Sequence, residues 1–225
     1  MRKQRVDGQE TRQNLLYAAS EIFALKGFRE ATIAEICQKA NANMAAANYH
    51  FGSKETLYVE SWRYAFDKSL KKYPPDGGTP GDATAESRLY GRILSVMRRI
   101  VDPESHDFDI MHKEMANPTG LLDATIQESI RPIFQELAVV VRQLLGEGAS
   151  EKQVNLCLMS IRAQCFGPLL RARWQKKSSR SPNLKEFEPL MEDVEMLADH
   201  VTRFSLAGIR EIREGKDGYI NETMD

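Results

Sequence analysis

The chain has 225 residues with 31 Lys and Arg against 32 Asp and Glu, a formal charge of −1. That length allows ample core in one large domain, or in a small one plus a medium one. The charge balance excludes a generally basic nucleic-acid coat, so affinity for a polyanion must come from local placement of cations. Cys37, Cys157 and Cys165 are an odd number without metal-ligand spacing, which reads as core thiols in a reducing compartment. No signal peptide and no apolar run near 18 residues is evident, so a soluble cytoplasmic chain is expected.

Residues 1–10 are polar, with Arg2, Lys3 and Arg5 making a basic arm and Arg12 following. Such an arm suits phosphates or a minor groove, and equally suits a solvated terminus. A first helix is predicted over Thr11–Lys26, with Leu15, Ala18, Ala19, Ile22 and Phe23 as its apolar face and Gly27 as a left-handed cap. A second begins at Thr32, where Glu35 three residues on completes a capping box, and Ile33, Ile36, Cys37 and Ala40 share one face. After the turn Asn41-Ala42-Asn43, Asn43 caps a short third helix, Met44 to about His50. Two short helices at this separation fit a helix-turn-helix whose second helix enters a DNA major groove. Phe23, Phe28, Ile33, Ile36 and Phe51 are its expected core, a small one that must lean on the rest of the chain.

Ser53 caps a fourth helix running to about Tyr73, where Pro74-Pro75 ends it. Its Leu57, Tyr58, Trp62, Tyr64, Ala65 and Leu70 are too widely spread for one stripe, so it is expected to touch both headpiece and body. Pro74 to Asp82 reads as a surface loop whose composition permits flexing. Further helices are predicted over Ala83–Val101, with Leu89, Ile93, Val96, Met97 and Ile100 inward, and over Ser105–Ala116. The next starts at Asn117-Pro118 and extends to Leu145, with Ile126, Ile130, Ile133, Leu137, Val140 and Leu144 in step and Pro132 as a kink. An eighth covers Ser150–Lys176, with Leu158, Ile161, Cys165 and Leu169 on one line, Met159, Phe166 and Leu170 on the next, and Gly167-Pro168 as an interruption.

A ninth helix is predicted from Leu184 to Glu214, after a loop at 178–183. Leu190, Val194, Leu197, Val201, Phe204 and Gly208 make a heptad seam, and Met191, Ala198, Ser205 and Ile209 a second line, so two faces are buried and one needs a partner. Residues 171–185 are all-basic among their charges and residues 186–199 all-acidic. Those runs read as dipole-matched helix ends or as charge pairing across a dimer seam. The result is an all-α chain of about nine helices. A three-helix headpiece over residues 1–52 carries DNA binding, and a larger helical domain over 53–225 binds an effector and dimerises.

The run from Asn41 to Leu57, and above all Tyr49-His50-Phe51 followed by Ser53-Lys54-Glu55 and Leu57, resembles the TetR family of bacterial transcriptional regulators. The likeness reaches upstream through Ala18-Ala19, Phe23, Gly27-Phe28, Thr32, Ile33, Ile36 and Ala40, covering about residues 11–60. It implies that Met44–His50 is the recognition helix and that Thr32, Asn43, Met44, Ala45, Asn48, Tyr49, His50 and Lys54 touch DNA. Met44 and Ala47 depart from the family's Lys and Leu. Met44 suits a thymine methyl rather than a guanine, and Ala47 removes volume beneath the helix. The resemblance also implies a four-helix interface from the eighth and ninth helices of two copies, hence a homodimer on a palindromic operator of double-stranded DNA.

Met97, Phe108, Met111, Met115, Phe134 and Phe166 are candidates to line an effector site for a small apolar or amphipathic molecule, or are plain core. The region from Gln127 to Phe166 also has a likeness to a subgroup of the family linked to antibiotic sensitivity. No cofactor, no metal and no membrane partner is expected, and no enzyme activity: HExxH, Walker and GxGxxG patterns are absent. The alternatives are a helical adaptor that binds only protein, or a metal-dependent hydrolase built on His106, Asp109 and His112 in the cluster that also holds Asp107 and Glu114. The expected role is a ligand-responsive regulator, a repressor released by its effector.

Overall fold

The computed structural model describes residues 2–176 and 193–215, with side chains described over 8–174 and 193–215. Among these residues it is all-α, in the order α1 (Arg2–Glu30), α2 (Ile33–Lys39), α3 (Met44–Phe51), α4 (Lys54–Lys72), α5 (Ala85–Val101), α6 (His106–Ala116), α7 (Asp123–Leu145), α8 (Glu151–Lys176) and α9 (Val194–Arg213). Two compact units divide the chain: residues 1–72 with 102–129, and residues 73–101 with 130–225. These limits follow packing and differ from the boundary at 52/53, which concerns which residues meet DNA.

In the first unit, α1 packs on α2, α3, α4 and α6. Leu15, Ala18, Ala19 and Phe23 are buried along α1, and Ile36, Cys37, Ala47, Phe51, Leu57, Tyr58 and Trp62 close the core against them. Phe28 and Ile33 are only half-buried. Tyr58 stands edge-on to Phe23 at 4.8 Å and tilted to Phe28 at 5.1 Å, so the expected lean of the headpiece on α4 is made by aromatic rings. The polar arm expected before Thr11 is helical in backbone from Arg2 onward, continuous with α1; the side chains of Arg2, Lys3 and Arg5 lie outside the described set. Gly27, at φ 77° and ψ 177°, breaks the helix where a cap was expected, and 28–30 add a last turn beyond it.

Helix α4 buries Leu57, Tyr58, Ser61, Trp62, Ala65, Phe66 and Ser69. Their spacing is one broad stripe, not the scatter expected, because small Ser61 and Ser69 join it and Tyr64 and Leu70 stay half-buried. Within its unit this stripe faces α1 and α6.

The helix expected from Asn117-Pro118 begins instead at Asp123. Asn117 is the C-cap of α6, its amide bonding Lys113 O. The buried Glu114 carboxylate captures the loop beyond it: Oε1 accepts from Thr119 N at 2.7 Å, Thr119 Oγ1 at 2.7 Å and Gly120 N at 3.0 Å. Its Oε2 accepts from Tyr58 Oη at 3.0 Å. A carboxylate taking two amides and two hydroxyls outcompetes a first helical turn for those donors.

In the second unit, α5 buries Leu89, Ile93, Met97 and Ile100, with Val96 half-buried, and packs on α8 and α9. The Pro/Gly-rich segment is docked on α5 rather than free. Ser95 Oγ donates to Pro74 O at 2.6 Å, and Asp76 Oδ1 accepts from Gly78 N at 2.8 Å. A Cβ on Gly91 would lie 2.2 Å from Thr79 Oγ1 and 2.6 Å from Asp76 O. Gly91→Ala is therefore expected to lower stability by about 1–3 kcal/mol, read as a shift of the urea midpoint at unchanged slope.

Pro132 and Pro168 lie inside α7 and α8 without ending them. Val140, Val141, Leu144 and Leu145 are buried, whereas Ile130, Ile133, Phe134 and Leu137 are only half-buried. Along α8 the enclosed line is Val154, Cys157, Ile161, Cys165, Leu169 and Arg173. Leu158 is half-buried, and Met159, on the second apolar line, is 60% exposed. Arg173, in the basic run read as a dipole-matched helix end or as one side of a dimer seam, is buried and donates through Nη1 to Ile100 O at 2.6 Å, capping the end of α5.

The predicted ninth helix starts later than expected. Asp193 at φ −121° is its N-cap, accepting from Met196 N at 2.8 Å; Leu184, Leu190 and Met191 lie outside the described residues. The inward stripe is Val194, Ala198, Val201, Thr202, Ser205 and Ile209. The heptad seam splits: Phe204 is 62% exposed and Gly208 is exposed beside it. Among the described residues, no helix is long and apolar enough to cross a membrane.

Candidate nucleic-acid interface

The α2–turn–α3 element is held by local caps that its sequence dictates. Thr32 Oγ1 accepts from Glu35 N at 3.2 Å, and Thr32 N donates to Glu35 Oε2 at 3.2 Å, both halves of the expected box. Asn43 Oδ1 accepts from Ala46 N at 2.7 Å. Asn41 holds φ 50°, the left-handed turn that asparagine tolerates. Ser53 Oγ accepts from Thr56 N at 3.1 Å and so opens α4.

Helix α3 has two unlike faces. Ala47 and Phe51, one turn apart, are buried in the headpiece. Met44, Ala45, Asn48 and Tyr49 fall on the other face and are exposed, Tyr49 at 85%. The seated face is light at Ala47, and the outer face projects Met44, 53% exposed, and Tyr49. His50 is half-buried, its ring 5.1 Å from that of Tyr49 and 6.1 Å from that of Phe51.

Three of the sequence-selected residues already have work inside the fold. The Thr32 hydroxyl and amide both engage Glu35, so an anion at the start of α2 meets the Glu35 carboxylate first. Asn43 spends its oxygen on the cap, leaving its NH2 group outward. Lys54 is half-buried with Nζ 4.6 Å above the Phe28 ring.

Lys26 was not legible from sequence as part of this surface. It pairs with Glu35 and so stands at the start of α2; the contact depends on the turn at Gly27, which no periodicity reveals. The same pairing, with the Thr32 bonds, holds the Glu35 carboxyl below the usual range. Arg12 pairs with Glu60 and covers the Phe51 ring at 5.3 Å, and Lys39 pairs with Glu21 at 3.1 Å.

The six candidate lining residues fall in both compact units. Phe108 is buried, Met111 half-buried and Met115 58% exposed in the first; Met97 is fully buried in the second. Phe134 and Phe166 are half-buried in the second unit. Phe134 lies under the Arg162 guanidinium at 3.9 Å, and Phe166 lines an open groove on α8 with Gly167, Leu170, Arg171 and Trp174. Of the residues suggested for a hydrolase, Asp109 is buried and His106 and His112 are half-buried. Burial holds the His112 imidazole below its ordinary value. Among the described residues, no three His, Cys, Asp or Glu side chains are placed to hold a metal ion.

Comparison with known proteins agrees with this geometry. Residues 15–60 match the family described as bacterial regulatory proteins, tetR family. Residues 85–209 match the family described as HTH-type transcriptional dual regulator CecR, C-terminal domain. The chain is 38% identical over 123 residues to the uncharacterized HTH-type transcriptional regulator TtgW of Pseudomonas putida, covering 54% of this chain and 87% of that one. It is 26% identical over 161 residues to the regulator AcrR of Shigella flexneri, covering 71% of this chain but only 63% of AcrR. The fold is shared with a TetR-like transcriptional regulator from Rhodococcus sp. RHA1, at TM-score 0.64 and 16% identity over 89% of this chain and 96% of that one. On these grounds the chain belongs to the TetR family of bacterial DNA-binding transcriptional regulators.

Proposed function

We propose that this protein is a ligand-responsive regulator that acts in the cytoplasm, binds a near-palindromic duplex as a homodimer and represses transcription until a small apolar or amphipathic effector releases it. The observation that carries this reading is the two-faced α3, with Ala47 and Phe51 seated in the core and Met44, Ala45, Asn48 and Tyr49 outward. A thin helix with one projecting aromatic suits a major groove: Asn48 offers an amide to a base edge, Tyr49 and His50 offer donors to phosphate, and Met44 offers apolar contact to a thymine methyl. Thr32, Asn43, Ala45 and Lys54 flank them at the helix starts. Residues 1–52 form the DNA-binding part and 53–225 the effector-binding and dimerising part. The chain reads DNA rather than catalysing a reaction.

One headpiece offers few contacts, and a two-fold dimer supplies a second half-site about one helical turn away. The dimer reading rests on apolar residues left uncovered on two helices that pack on each other: Leu156 at 47% and Met159 at 60% on α8, Met196 at 52% and Phe204 at 62% on α9. Phe204→Glu is expected to raise the dimer dissociation constant on the order of a thousandfold, an aromatic anchor of about 2 kcal/mol being counted twice across a two-fold axis. Sedimentation velocity reads this directly.

Effector release needs a molecule that binds one state better than the other by a few kcal/mol. Among the six lining residues, Phe134 and Phe166 keep the best support, since half-covered rings gain cover from an apolar molecule and a fully enclosed Met97 does not. Selection of fragments from the source genome by the purified protein tests the reading as a whole. A recovered near-palindrome, with reporter expression rising when the regulator is removed, is expected; recovery of unrelated fragments overturns it.

A further inference from the structure

Two arginines stand one turn apart on the side of α5 that faces α7. Arg92 Nη2 lies 3.0 Å from Glu136 Oε2, and Arg88 Nη2 donates to Gln143 Oε1. The Arg92 side chain is only 13% exposed. Its Nε and Nη1 are nevertheless without an acceptor and shielded from solvent, as is Arg88 Nε. A guanidinium carries five N–H donors and does not lose its charge to escape the penalty, as a lysine can. Donors on a permanent cation that have neither water nor acceptor are costly, and in a folded chain they call for an explanation.

The surroundings define what would satisfy them. Ile133 and Val140 lie one turn to either side of Glu136 on the same face of α7, and between residues 130 and 139 no side chain of that helix is buried. Val140 is buried, but Ile133 is only half-covered and stands beside the half-satisfied cations, the pairing an amphipathic molecule with one anionic end would complete. Charge selects further: Arg88 and Arg92 against Glu136 leave one net positive charge. A monoanion brings that sum to zero, whereas a dianion such as a phosphate monoester overshoots it beside a carboxylate.

We propose that α5 and α7 hold between them the carboxylate of a small amphipathic acid, bound by Arg92 through the donors Glu136 leaves and assisted by Arg88. This deepens the reading of the chain as an effector-responsive regulator and rests on it for any effect on transcription. Arg92 is then the residue that makes the effector an acid, and the apolar stretch of α7 is what makes it amphipathic.

The test is calorimetric titration of the full chain with decanoate and with decan-1-ol, which share an apolar tail and differ in the head group. The wild-type protein is expected to bind decanoate at least about tenfold more tightly. Arg92→Met should erase that preference while leaving decan-1-ol affinity unchanged, and Arg88→Met should reduce it by a smaller factor. Circular-dichroism melts accompany each variant; should Arg92→Met fail to fold, the wild-type preference and its partial retention in Arg92→Lys carry the test. Equal binding of acid and alcohol, binding of neither, or a preference that survives in folded Arg92→Met overturns the inference and assigns the shielded donors to water. Alcohol binding without acid preference leaves effector response standing, and loss of duplex binding by the wild type overturns the regulator reading separately.

Discussion

Replacing Asn48 and Tyr49 together with alanine is expected to weaken binding to the selected duplex roughly a hundredfold while leaving thermal unfolding where it was. The separation of the two effects comes from the faces of α3. Both residues are exposed, Tyr49 at 85%, and neither is part of the headpiece core formed by Ala47, Phe51 and Phe23. Truncating them removes little that folding uses, since exposed substitutions stay within about 0.5 kcal/mol. On DNA the same truncation removes an amide able to read a base edge and a phenol able to hold a phosphate, each of the order of 1–2 kcal/mol in a duplex interface. A fluorescence anisotropy titration at fixed salt, beside a calorimetric melt, measures both. Unchanged affinity would move the DNA contact off α3. A lowered melting temperature would mean that these side chains serve the fold.

Glu114→Ala is expected to destabilise the first unit by about 3 kcal/mol or more, the largest single effect foreseen for a residue away from the apolar core. Glu114 is 6% exposed and takes donors from Tyr58, Thr119 and Gly120. Removing it strands the Tyr58 hydroxyl, which is fully buried and whose ionisation is suppressed first by burial and then by the neighbouring carboxylate. It also frees the loop between α6 and α7. Tyr58 in turn packs edge-on against Phe23, so the damage reaches the aromatic core beneath α3. Tyr58→Phe should cost less, about 1–2 kcal/mol, because the carboxylate keeps its other donors. A double-mutant cycle on urea midpoints should show the two substitutions to be strongly non-additive. Additive effects would mean that the 3.0 Å contact contributes nothing.

What could be read from the sequence was what neighbours in sequence decide. Thr32 with Glu35, Asn43 with Ala46 and Ser53 with Thr56 are pairs three residues apart, so the starts of α2, α3 and α4 were visible without any tertiary information. The outward residues of α3 were named by the family resemblance rather than by periodicity, and the fold leaves Met44, Ala45, Asn48 and Tyr49 exposed. The errors lie where distant groups intervene. Asn117-Pro118 has the form of a helix start, yet Glu114 draws the Thr119 and Gly120 amides into a loop. The Pro/Gly segment looked free because nothing in its composition announces that Gly91 opens a seat for it on α5. On the second apolar line of α8 Met159 is exposed, which periodicity could not reveal, since it counts apolar residues without knowing whether their cover comes from the same chain. Arg92 gave no signal at all. An arginine on a helix reads as solvated until the acceptors around it can be counted.

These departures bear on function in one direction. The local rules give the caps of the DNA-facing element, and the long-range contacts give the parts proposed to dimerise or to hold an effector: the uncovered faces of α8 and α9, and the arginines beside α7. The family resemblance implied an interface of the last two helices but not its residues, and gave nothing of the arginines, since those depend on what this chain places at Phe204, Arg88 and Arg92.

The most direct test of the central claim is a salt titration of the intact protein against two duplexes of equal length and composition, one recovered by selection and one with its half-sites scrambled. The account predicts a preference of about a thousandfold or more at physiological salt, with log K falling linearly against log salt for both duplexes. Equal affinity for the two at physiological salt, with the dimer intact and no small molecule bound, would contradict it.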